Sequence, residues 1–204
     1  MSDKQQPPAF NFTAPPQLDE WQVPSKAWLK VHDKHFDGLA SAALVFTTKS
    51  KNGEDGDGQV TDRVLVIQRA PHDSMPLRWE SPGGAVDAED ASILHGCARE
   101  LWEEAGLRAR RIVRVVPETG EGSMFTNRTG QRIFCRFTFE VEVEAEEEGR
   151  PVVKLDPEEH VAWYWASREE IEAEKREDGT EMPVTTKWAK QLLLQGFDLR
   201  ASSR

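Results

Sequence analysis

Three glutamates, Glu100, Glu103 and Glu104, are the residues in this sequence whose type and spacing best suit chemistry. On a helix turning about 100° per residue they share one face. Ile93, Leu94, Cys97, Ala98, Leu101 and Ala105 take a neighbouring face that can pack on a sheet. Three carboxylates this close repel one another unless a cation neutralises them. Hard divalent cations do so, and all-oxygen ligation selects Mg²⁺, with Mn²⁺ able to substitute. Taken alone, the three glutamates suit an ordinary solvated acidic face better than a metal site. The flanking residues decide against that. Pro82-Gly83-Gly84 precedes the helix and permits a tight turn with close backbone approach to a ligand. Gly106 closes the helix.

The elements that must hold this helix are legible around it. Residues 39–48 (LASAALVFTT) and 64–68 (VLVIQ) read as strands paired across a polar, Gly/Asp-rich surface loop at 49–62. Residues 70–82 form an irregular stretch. The helical periodicity spans 92–105. Strands follow at 111–116 and 133–143, the second alternating clearly, then an acidic turn at 144–150 and a strand at 161–166. Ser167 with Glu170 three residues on predicts a capping box opening a helix over 168–175. A final amphipathic helix covers 185–195. The order predicts an α+β sandwich with a mixed sheet, not a doubly wound parallel sheet. Neither a dinucleotide-binding glycine fingerprint nor a P-loop lysine pattern occurs.

Length and composition set the frame. The 204 residues suit one domain, taken as 36–200, behind a partly disordered N-terminal extension at 1–35. Residues 1–18, rich in Pro and Gln, read as poorly ordered, whereas Trp21, Val23, Trp28 and Leu29 give the extension something to bury. No apolar run is long enough to span a bilayer, and no secretory signal is visible, so a cytoplasmic, non-membrane protein is expected. Cys97 and Cys135 are expected to be free thiols. The net charge of −10 argues against nucleic acid as a partner. It conflicts with a phosphate substrate only if no bound cation supplies positive charge.

Residues 82–107 resemble the signature of the Nudix family. That signature reads Gly, five residues, Glu, seven residues, then Arg-Glu-apolar-x-Glu-Glu-x-Gly-apolar. Arg99, Glu100, Leu101, Glu103, Glu104, Gly106 and Leu107 match its second half at every defined position. The first half departs twice: Asp90 follows Gly84 where Glu is usual, and the next spacer is one residue longer. Glu89 is the other candidate for that place.

The resemblance implies a Nudix fold: an α/β/α sandwich, with the signature helix on one side of the sheet and the C-terminal helices on the other. It implies a Mg²⁺-dependent hydrolase that cleaves a phosphoanhydride bond in a small organic diphosphate. It assigns the metal to Glu100, Glu103, Glu104 and the carbonyl of Gly83. Arg99 would orient the glutamates, and Asp90 or Glu89 would support them, a helix cap being the plainer role for either. The general base would come from the loop before Val161. Glu159 is the choice there, with Glu158 and His160 beside it and a simple polar turn after Pro157 as the alternative. Arg69, Arg78, Arg128 and Arg132 are candidates for substrate contact, although exposed arginines need no such role. Nucleoside diphosphate sugars, dinucleoside polyphosphates, diphosphoinositol phosphates and prenyl diphosphates all stay open as substrates. A non-catalytic ligand-sensing module and an isoprenoid-pathway diphosphatase are the rival readings. A homodimer is compatible with the extension and the 49–62 loop.

Overall fold

The computed structural model describes residues 8–50, 60–117, 123–126, 129–144 and 151–204. Most of the expected 49–62 loop and of the 144–150 turn lies outside them, as does Arg128.

Strand β1 (Gly38–Ser50) carries the sheet. It pairs antiparallel with β2 (Val60–Arg69) through its second half. Its first half pairs parallel with β7 (Ile133–Val143), Gly38 against Phe134 through Val45 against Val141. Around these lie β3 (Trp79–Glu80) and β8 (His160–Ala166) on β2, β4 (Gly83–Ala85) on β1, and β5 (Ala109–Val115) and β6 (Ser123–Thr126) on β7. The sheet is mixed, as the α+β expectation requires.

Alternation along β1 and β2 sorts side chains into two cores. Ala43, Val45, Leu65 and Ile67 face one core, roofed by α2 (Ile93–Ala105). Leu44, Val64 and Val66 face the other, covered by α3 (Arg168–Ala173) and α4 (Lys187–Ala201) with Met182 and Val184. Both faces are buried, so the central strands read as nearly continuous apolar runs.

The Ser167–Glu170 capping box is present. The last helix outruns the expected 185–195, continuing through Gly196 to Ala201. Gly196 lies mid-helix, where α4 packs close on β1. A Cβ there would lie 2.7 Å from Leu44 Cδ1.

Residues 8–18 also differ from the sequence expectation. Phe10 and Phe12 lean on Trp102 and His95 of α2, and Thr13 exchanges backbone hydrogen bonds with Arg110 and Ile112. A short 3-10 turn (Pro16–Trp21) and helix α1 (Ser25–Val31) follow, burying Leu18 and Trp28 against the α2 side of the sheet. Full burial of a leucine-sized side chain contributes about 1.5–3 kcal/mol. A few apolar residues spaced through a Pro-rich run therefore hold it down. Cys97 and Cys135 are buried thiols, not joined in a disulfide. Among the described residues no helix is long and apolar enough to cross a membrane.

Candidate active site

Helix α2 is set at both ends by its own sequence. Ser92 caps the start, its Oγ accepting from the His95 N–H at 3.2 Å. Gly106 ends it in the left-handed conformation, with its N–H donating to Trp102 O at 2.8 Å. The apolar stripe buries itself on the sheet, which turns the carboxylate side toward β4 and the loop before β8.

At that junction a cavity of about 750 Å³ opens. Gly83, Gly84, Glu100 and Glu104 line one wall, and Glu158, Glu159 and His160 another. Glu104 is only 7% exposed. Its Oε2 accepts a hydrogen bond from the Gly83 N–H at 2.7 Å. Burial, with Glu80, Glu100 and Glu159 nearby, pushes its carboxyl well above the usual range. Glu100 is pushed up to about 7, chiefly by burial, against the pull of Arg99. The two glycines allow this closeness. A Cβ on Gly84 would sit 2.5 Å from Glu100 Oε2, and one on Gly83 would sit 2.3 Å from Ser41 O of β1.

Arg99 is the counter-charge at the cluster's edge. Its Nη1 donates to Glu100 Oε1 at 3.0 Å and to Glu103 Oε2 at 2.7 Å. Its Nη2 donates to Ala85 O at 2.8 Å. Asp90 takes the remaining donors, while Glu89 is exposed. Glu103 is 42% exposed in its side chain and stands outside the cavity lining, joined to Glu100 through the shared Arg99 nitrogen.

The loop before β8 is held firmly. Asp156 O accepts from the N–H groups of Glu159 and His160 at 3.1 and 2.9 Å, and the Ala70 N–H donates to Glu159 O at 2.8 Å. Glu159 therefore faces the helix carboxylates from a fixed backbone.

The arginines divide. Arg69 lines the cavity, but Glu80 and Asp73 neutralise it. Arg78 donates to Val184 O at 2.9 Å and lies outside the lining, as does Arg132. Sequence reading missed Arg136, which lies on β7 opposite Ala40 and reaches the cavity with its guanidinium 5.1 Å from the Phe125 ring centre. Phe125 and Phe134 stack at 5.5 Å along the same wall. It also missed Glu80 and the His72–Ser74 edge. The inward alternation of β7 was the available signal for Arg136. Nothing local marked Glu80.

The donor set fits a divalent cation. Oxygens of Glu104 and Glu159 and a ring nitrogen of His160 lie within 4.8 Å of one another, with Glu100 adjacent. Glu104 in particular has the carboxylates of Glu80, Glu100 and Glu159 for electrostatic neighbours. That arrangement is costly without a cation and favourable with one.

The NUDIX domain family model matches residues 39–188. Comparison with curated proteins finds no match. Among solved structures, the MutT protein of Methanosarcina mazei Go1 is 22% identical, covering 82% of this chain and 96% of its own, with a TM-score of 0.52. A C. elegans Ap4A hydrolase in a binary complex is 18% identical, covers 81% of this chain and 98% of its own, and has a TM-score of 0.54. The NUDIX domain of Shewanella oneidensis NrtR, complexed with ADP ribose, is 16% identical, covers 86% and 99%, and also has a TM-score of 0.54. At these identities the likeness is one of fold. The family match spans most of the sequence and includes the helix, glycine turn and strands just described, and the chain belongs to the Nudix hydrolase family.

Proposed function

We propose that this pyrophosphohydrolase cleaves a phosphoanhydride bond in an organic diphosphate of the nucleoside diphosphate-X kind, with Mg²⁺ or Mn²⁺ as cofactor. The observation that carries the reading is Glu104. It is a buried carboxylate beside Glu100 and Glu159, and the hydrogen bond it accepts comes from a backbone N–H.

Glu100 and Glu104 would hold the cation, with Gly83 supplying backbone and Glu103 joining from the rim. Bound there, a divalent ion supplies positive charge to phosphate oxygens and acidifies water. The chain's own residues do the rest. Arg99, braced by Asp90, fixes Glu100 and Glu103. Glu159, on its pinned turn, takes the proton of the water that attacks phosphorus. Arg136 faces the phosphates from across the cavity, and the Phe125–Phe134 pair offers a flat apolar wall to the group X. Ap4A and ADP ribose, named for two of the structural neighbours, are molecules of this type. Retention of all three helix glutamates favours catalysis over a sensing role.

The test is a panel of such diphosphates incubated with Mg²⁺ or Mn²⁺, read as phosphate released after phosphatase coupling. Turnover of at least one compound, lost in Glu104→Gln, is expected. No turnover of any compound with either metal would sink the proposal.

A further inference from the structure

We propose that His160 is a metal ligand, so that this site has a mixed nitrogen and oxygen donor set and prefers Mn²⁺ to Mg²⁺. The inference rests on reading the carboxylate cluster as a metal site. His160 is 3% exposed, and neither ring nitrogen has a hydrogen-bond partner among the described residues. A buried imidazole ordinarily satisfies its N–H with a carbonyl or carboxylate. Glu80 Oε1 is the nearest acid, at 3.6 Å, too far for a hydrogen bond, and that oxygen already takes Arg69 Nη1. The ring instead lies with one nitrogen within 4.8 Å of both the Glu104 and Glu159 oxygens, on the cavity wall.

A structural histidine held for packing would not leave both nitrogens unpaired beside two carboxylates. A ligand role accounts for one of these nitrogens and for its place beside the carboxylates. Backbone geometry supports it: the His160 N–H is tied to Asp156 O at 2.9 Å, and residue 160 pairs with Arg69 at the shifted end of β2. The backbone that carries the ring is therefore fixed at the cavity wall. Mg²⁺ takes oxygen ligands and keeps its waters. Imidazole suits first-row transition ions, whose affinity for nitrogen donors exceeds that of Mg²⁺.

The experiment loads the full chain with Mn²⁺ and reads electron spin-echo modulation from nitrogen, with Mn²⁺ and Mg²⁺ affinities from calorimetry. Histidine-nitrogen modulation is expected, changing when the histidines carry nitrogen-15, persisting in His72→Gln and vanishing in His160→Gln. The ratio of Mn²⁺ to Mg²⁺ affinity should fall about 10-fold in His160→Gln. The labelled chain and His72→Gln decide the matter if His160→Gln does not fold. Mn²⁺ bound without histidine modulation, or modulation lost in His72→Gln, overturns the role of His160 and leaves the carboxylate site standing. Mn²⁺ binding that is absent, or equal in the unaltered chain and Glu104→Gln, overturns both.

Discussion

Asp90 and Arg99 are joined by two parallel hydrogen bonds, Nε to Oδ1 and Nη2 to Oδ2, each 3.0 Å long. The Asp87 N–H donates to the same Oδ2 at 2.8 Å, so the carboxylate is held from both sides. This bidentate pair lies where the family signature is irregular, and it ties the loop before α2 to the residue that orients Glu100 and Glu103. Asp90→Asn keeps the shape and removes the charge. Metal affinity and kcat/KM should both fall by about 10- to 100-fold. Kinetics and calorimetry that match the unaltered enzyme would show that Asp90 only caps the loop.

Glu104 separates stability from function. It is a buried carboxylate in like company, so Glu104→Gln removes repulsion from the metal-free protein. The metal-free melting temperature should hold or rise. The added stability from saturating Mn²⁺, about 2.7 kcal/mol at 100 times Kd, should disappear. A variant that melts lower without metal and still gains from it would contradict the metal role.

Gly83 and Gly84 should fail differently. Alanine at 84 pushes on Glu100, a side chain at the cavity wall, so activity falls while stability changes little. Alanine at 83 pushes on the backbone of β1 at Ser41 and Ala42, so the fold itself weakens. Chemical denaturation beside activity assays distinguishes the two.

Phe125 is 37% exposed on the cavity wall. Phe125→Ala should raise KM for an aromatic diphosphate by about 2- to 10-fold, one stacking contact being worth about 0.5–1.5 kcal/mol, and leave kcat near its original value. An unchanged KM would place X elsewhere.

Glu170 gives the pH prediction. It is buried, accepts hydrogen bonds from Tyr164 Oη at 2.7 Å, Ser167 N at 2.8 Å and Glu177 N at 3.0 Å, and pairs with Arg63 at 3.1 Å. These partners outweigh burial and hold its carboxyl below the ordinary value of 4.5. A lowered folded value means the stabilisation is complete above 4.5 and is lost as pH falls through the folded value. Glu170→Ala should cost about 3–5 kcal/mol near neutral pH and progressively less in acid. A cost that is constant from neutral to strongly acid pH would refute the charge argument.

Much of this site was legible in the sequence because one helix carries it. The 3.6-residue period put Ile93, Leu94, Cys97, Ala98, Leu101 and Ala105 on the core side, and all are buried. The stop at Gly106 came from local chemistry, whereas the cap is Ser92 and not Asp90 or Glu89, the two acids assigned that role from the sequence. Glu80 and Arg136 were not legible, because pairing places them. Glu80 comes near Glu104 through its register with Ile67, and Arg136 reaches the cavity through its register with Ala40. Strands β3 and β4 have two and three residues, too few for any period to show. Asp90 or Glu89 was undecidable along the chain, since only the fold brings Arg99 across to one of them.

The parallel pairing of β1 with β7 has a consequence for how the chain is made. Leu39 meets Cys135 only after everything between them has left the ribosome. Until then the run from Leu39 to Val45, buried throughout at the end, has the three-residue β4 alone as a strand neighbour. Such distant pairing slows folding and leaves an apolar edge open to other chains. Nascent protein should therefore lean on chaperones more than the finished enzyme's stability suggests, and expression at lower temperature should raise the soluble yield.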